Sequence, residues 1–400
     1  MDFGITREEN DLQLMGRIDA IRQGEDIEVL ESFARAYLGL FYDIDNQIAP
    51  AERIDLLANP ELAESIRAGF IATLQRSDLP SVKAIVTACH AEENLSIGFV
   101  VLAGMDLLAK SDRPQILKLN EANLHAAICF HLTTSTFHHN DWYKQLLLEQ
   151  PELVGDALLS MWRILLQKKS SLLPGLHEIT GHEKYHKVLS YVLVPLLNDW
   201  SECRAKELSV LLGHALIKTT HSDLLQVAKN MLATAESLPV RNHVYWMATA
   251  FIIEPQTYGQ ELINFMGQEK MKLLPLLDYV LSILSGENAS VTLSSMGYAY
   301  LVRCLAVRFT PQEDNYGNLG DITMKVLWLF YQLSRDQSEQ GQEALQWLQK
   351  IRVLKLYKDV FAHMASLQKS VEPVTGFDEF VVTLREHGYL RMKIKWSDSR

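Results

Sequence analysis

Turn-forming residues are scarce in this chain: 20 Gly and 12 Pro in 400 residues. Hairpin-rich sandwiches and barrels need tight turns every few residues, so this composition excludes them as the main architecture. Cysteine is scarcer still. Cys89, Cys129, Cys203 and Cys304 lie far apart and form no C-x-x-C pair, which excludes a disulfide framework. Each stands among apolar residues and is expected as a reduced core thiol. Positive charge is in deficit, with 38 Lys and Arg against 49 Asp and Glu and a net charge of −11. No general positive field is available to hold nucleic acid. The opening MDFGITREENDLQL has no basic stretch followed by an apolar run, and no apolar run is long enough to cross a bilayer. The expectation is a cytoplasmic chain without membrane contact. G-x-x-x-x-G-K-[ST] and G-x-S-x-G are both absent, so neither a phosphate loop of that type nor a nucleophile elbow is expected.

What is abundant is helical periodicity. DIEVLESFARAYLGLF places Leu30, Phe33, Ala34, Tyr37, Leu38 and Phe41 on one stripe at i, i+3, i+4 spacing. NPELAESIRAGFIATLQ opens with Asn59 as N-cap, Pro60 at the first helical position and Glu61 in the first turn. Comparable segments continue to about residue 387. The spacing predicts helices over 82–92, 96–109, 120–134, 141–149, 151–168, 183–199, 203–219, 222–236 and 241–253. Further ones are predicted over 257–267, 269–285, 291–308, 321–335, 339–350, 353–369 and 376–387. The P-E-L start at Pro60 returns at Pro151 in QPELVGDALLSMWRILLQ, with Leu74 matching Leu165. The offset is close to two periods of about 40–47 residues, the length of a HEAT-type helix pair. The expected fold is therefore all-α: a HEAT-like α-solenoid of stacked antiparallel helix pairs over residues 1–388. Interruptions fall at SSLLPGLHEITG (170–181) and FTPQEDNYGNLGD (309–321). In residues 389–400, YLRMKIKW alternates Leu390, Met392, Ile394 and Trp396 with Arg391, Lys393 and Lys395. That is the pattern of a short strand or a basic tail.

One motif carries potential chemistry. His182, Glu183 and His186 in HEKYH match H-E-x-x-H, which on a helix aligns two imidazoles for zinc and a carboxylate for its water. Glu202 and Glu207 lie downstream as candidate third ligands, Glu207 the one that could fold back, and His177 is a further one. Against this, Thr180 and Gly181 precede the motif as a cap would, and Lys184 and Lys187 place cations beside the proposed dication. The expected reading is a helix start with no metal and no cofactor; the alternative is a zinc-dependent hydrolase. His125, His131, His138 and His139 form a second group around CFHLTTSTFHHND. There the helix-end reading is favoured over a metal site, because no Cys or ordered carboxylate set flanks it. Trp142, Trp162, Trp200, Trp246, Trp328 and Trp347 lie in or beside apolar stripes and are expected in the core.

QPELVGDALLSMWRILLQKK, GLHEITGHEKYHKVLSYVLVPLL and LPVRNHVYWMATAFIIEPQTYGQEL occur in that order and spacing. Together they resemble the helical region of large bacterial NTPases of the NACHT type, in the STAND class. The resemblance spans roughly residues 26–310. In that family a P-loop NTPase domain precedes long helical repeats, and several members act in antiphage defence. The NTPase motifs have no counterpart here, so no functional residue carries over. The family's matching segment does not keep both histidines of HEKYH, which implies a structural role for that motif. The resemblance implies a non-catalytic sensor or scaffold module whose partner is an NTPase-containing protein or a phage protein. Nucleic acid is not the expected ligand, and a nucleic-acid-binding helical array remains the further alternative.

Overall fold

The computed structural model describes residues 7–41, 44–45, 47–93, 95–111, 113–134, 141–234, 238–284, 291–306, 319–350, 379–380 and 382–383. Among these residues the chain is all-helical, and the helices pack against one another. They form two compact units, Met1–Asp199 and Trp200–Arg400. The division falls at neither of the interruptions expected from sequence. The first of these, 170–181, holds a short helix of its own; positions 309–318 of the second, the expected helix at 353–369 and the tail 389–400 lie outside the described residues.

The first unit runs α1 (Arg7–Met15), α2 (Ile18–Arg22), α3 (Ile27–Tyr37), α4 (Pro50–Leu57), α5 (Pro60–Thr73), α6 (Val82–His90) and α7 (Ile97–Ser111). A 3₁₀ turn, Arg113–Lys118, leads to α8 (Glu121–Thr133), α9 (Asp141–Glu149), α10 (Pro151–Gln167) and α11 (Leu176–Gly181). A second 3₁₀ turn, Glu183–Tyr185, opens into α12 (His186–Asp199). Capping explains several of these starts. Asn59 accepts from the Leu62 amide at 3.0 Å ahead of Pro60, and Asn120 accepts from the Ala122 amide at 2.8 Å. Each side chain satisfies a donor that the first helical turn leaves unpaired. The two P-E-L helices are not equivalent: α5 ends with Leu74 buried as its C-cap, whereas α10 runs past the half-buried Leu165 to Gln167.

Buried residues surround α7 on all sides from Gly98 to Asp106, the mark of a central helix. It packs on α3, α5 and α8, while α10 packs on α6, α8 and α12. Pro195 lies inside α12 and removes one rung of its ladder, a cost of about 3 kcal/mol in isolated helices. Leu193, Leu196 and Leu197, all buried, offset that loss by anchoring the same turn.

The second unit runs α13 (Ala205–Lys218), α14 (His221–Ala233), α15 (Val240–Ile253), α16 (Pro255–Met266), α17 (Lys270–Leu284), α18 (Ser295–Ala306), α19 (Leu319–Ser334) and α20 (Glu339–Gln349). Its centre is α15, which packs on α13, α14, α16 and α17. In turn, α18 packs on α16, α19 and α20. Two polar contacts tie layers together: Thr249 Oγ1 and Tyr279 Oη are 2.7 Å apart, and Ser295 hydrogen-bonds Asp336. In this unit each helix meets chiefly the helices one and two places along the chain.

Candidate functional site

The premise of the H-E-x-x-H reading is that one helix presents both imidazoles. Here His182 is extended (φ −128°, ψ 115°) between α11 and the 3₁₀ turn, and His186 is the first residue of α12. Thr180 and Gly181 close α11 instead of capping α12, and the Thr180 hydroxyl donates back to Leu176 O at 2.9 Å. His182, Glu183 and His186 are exposed, as is His177 on α11. The Arg204 guanidinium holds Glu207 at 2.6 Å. Among the described residues no group of three or more His, Cys, Asp or Glu side chains is placed to hold a metal ion.

The motif's buried residue is the one that the pattern leaves unspecified. Tyr185 is 1 % exposed, with the His182 ring edge-on at 5.9 Å and Lys184 Nζ 4.8 Å from the ring centre. Its turn packs against α9, which carries Trp142 and Tyr143. Tyr143 in turn meets His131 of α8 at 4.7 Å between ring centroids, and Trp142 lies 5.4 Å from the same imidazole. Burial, reinforced by the Lys144 charge, lowers His131 to about 4, so the ring is neutral at pH 7. Burial, with Glu178 and Tyr185 adding to it, holds the Tyr143 phenol well above its ordinary value. The two histidine motifs thus meet through Tyr185, Tyr143 and His131 as packing between helices, not as a ligand set. His125 lies 3.8 Å from Glu121 on its own helix, and His138 and His139 lie outside the described residues.

Cys129, Cys203 and Cys304 are buried, and burial pushes each thiol up to about 12, which keeps them protonated and inert. Cys89 departs from the expectation: it is exposed on α6, because the buried stripe of that helix is Ile85, Val86 and Ala88. Trp142, Trp162, Trp200, Trp246 and Trp328 are core residues, whereas Trp347 is half-exposed.

Sequence reasoning named no binding residues, yet two helices of the second unit present apolar side chains outward. The buried stripe of α13 is Leu208, Leu211, Leu212, Ala215 and Leu216. On its opposite face stand Val210, 51 % exposed, and Ile217, 46 % exposed, with Gly213 between them. On α17, which touches α13, Met271 is 70 % exposed and Leu274 stands one turn further on. The signal was present in the sequence as apolar residues at i and i+7 on the face opposite the stripe. No helix of the described residues is long and apolar enough to cross a membrane. No family model, curated protein or solved structure matches the chain.

Proposed function

We propose that the chain is a helical scaffold without catalysis of its own, arranged as a HEAT-like solenoid and binding a protein partner across several helices. The observation that carries this reading is the outward placement of Val210, Ile217, Met271 and Leu274 on two touching helices. Apolar surface removed from water gains about 25 cal/mol per Å², so a partner that covers the exposed part of these side chains gains binding energy from surface the fold leaves in water. In the second unit, packing of helices onto those one and two places along the chain supports the solenoid, whose repeats contact mainly their neighbours and so build one long face. The similarity to the helical region of NACHT and STAND NTPases supports a sensor or regulatory module in a bacterial defence system, with an NTPase-containing protein or a phage protein as partner.

Hydrogen exchange of the chain bound to a purified partner tests the proposal. The expected result is protection over α13 and α17 together. Protection confined to one small cavity, with a metabolite as the only ligand, contradicts it.

A further inference from the structure

Tyr300, Arg303 and Trp347 form a half-exposed group on α18 and α20 of the second unit. The Arg303 guanidinium carbon lies 5.2 Å from the Trp347 ring centre, and Tyr300 meets Trp347 edge-on at 5.1 Å. Tyr300 is held from behind. Its ring lies over Gly259 of α16, where a Cβ would come within 2.4 Å of it, and Phe251 of α15 packs edge-on at 6.4 Å. Tyr300 is therefore positioned before any ligand arrives. Arg303 stacks on Trp347 but donates to no carboxylate or carbonyl among the described residues. The other tryptophans of the described residues are in the core, so Trp347 is the exception.

From this geometry we infer that Tyr300, Arg303 and Trp347 anchor a peptide segment of the protein partner that presents one carboxylate beside an apolar side chain. This rests on the scaffold reading and names the chemistry of its partner. A planar guanidinium pairs two parallel N–H donors with one carboxylate, and the aromatic faces beside it cover an apolar neighbour at little entropic cost. Trp, Tyr and Arg are the residues in which interface energy concentrates. A nucleic-acid strand fits less well. It requires several cations along its backbone, whereas this group supplies one on a chain of net charge −11.

The test is panning of a displayed library of random 12-residue peptides on the full chain, with single-stranded oligonucleotides measured in parallel. Enriched peptides are expected to share an Asp or Glu next to an apolar residue. They should bind Arg303→Gln and Trp347→Ala roughly tenfold or more weakly than the parent chain. Changing the peptide's own Glu to Gln should weaken binding to the unaltered protein by a similar factor, a readout that does not depend on a variant folding. Failure to enrich any peptide over panning on Arg303→Gln overturns the inference, as does enrichment of peptides without an acidic residue. Oligonucleotide binding that depends on Arg303 overturns it too. Enriched peptides that protect α13 and α17 from hydrogen exchange but bind Arg303→Gln undiminished sink this site while leaving the scaffold reading intact.

Discussion

The Tyr37 hydroxyl donates to the buried Asp106 carboxylate at 2.7 Å, joining α3 to the central helix α7 across 69 positions of chain. Lys110 reaches the same oxygen at 2.7 Å, and Arg53 Nη1 donates to Tyr37 O at 2.9 Å. Burial, with Asp106 adding to it, holds the phenol far above its ordinary value, so it stays a donor. Removing the donor alone leaves the carboxylate with Lys110; removing the carboxylate orphans the buried hydroxyl. Tyr37→Phe should cost about 1.5–3 kcal/mol, as for a hydrogen bond to a charged group, and Asp106→Ala more. Urea denaturation of the two variants checks both the size and the order. Equal and negligible losses would show that the pair contributes nothing.

Stability should fall in mild acid, and His131 should account for part of it. Its imidazole has an ordinary value of 6.5 and is held at about 4 in the folded chain, chiefly by burial. Its folded value is depressed, so the unfolded chain takes up the proton first. The stabilisation is complete above about pH 6.5 and is lost as the pH falls towards 4, up to about 3 kcal/mol in total. His131→Phe keeps a ring against Trp142 and Tyr143 and removes the proton. That variant should show a flatter stability profile between pH 7 and 4.5 by thermal unfolding. An unchanged slope would remove His131 from the account.

Within HEKYH the tyrosine should matter and the histidines should not. Tyr185 is 1 % exposed, whereas His182 and His186 are exposed. Tyr185→Ala should cost about 3–5 kcal/mol, the range for deleting a large buried ring. His186→Ala should stay within about 0.5 kcal/mol. Elemental analysis of the purified protein should find far less than one equivalent of zinc, unchanged in His186→Ala. Stoichiometric zinc that disappears in that variant would restore the hydrolase reading.

These contrasts show which features a single sequence exposes. Helices with a wide apolar stripe or a side-chain cap were legible, as at Asn59 and Pro60, because the signals are local. Short helices such as α2 and α11 were not, since five or six residues hold too little of a period to register. Leu176–Gly181 looked like a break because Pro174 and Gly175 precede it. Yet Pro174 O accepts from Trp162 Nε1 at 2.9 Å, a tertiary contact that fixes the loop and lets a turn of helix follow. HEKYH was legible as a helix start, but the separate 3₁₀ turn that leaves His182 extended ahead of it was not, because three residues hold too little of a period to register. The exposure of Cys89 is hidden from sequence for a related reason: in a nine-residue helix one position decides between core and solvent.

The outward face of the second unit supplies the last prediction. Val210 and Met271 contribute little to the core, at 51 % and 70 % exposed. Replacing each with Asp should leave thermal stability nearly unchanged, since exposed substitutions usually stay within about 0.5 kcal/mol. In a binding interface the same changes place a charge where apolar surface must be covered, and an unpaired charge is costly to desolvate. Val210→Asp with Met271→Asp should therefore abolish partner binding measured by calorimetry while the melting profile stays that of the parent chain. A melting profile that collapses would mean that the two side chains belong to the core after all. Undiminished binding by a correctly folded double variant would move the interface to another face of the helices.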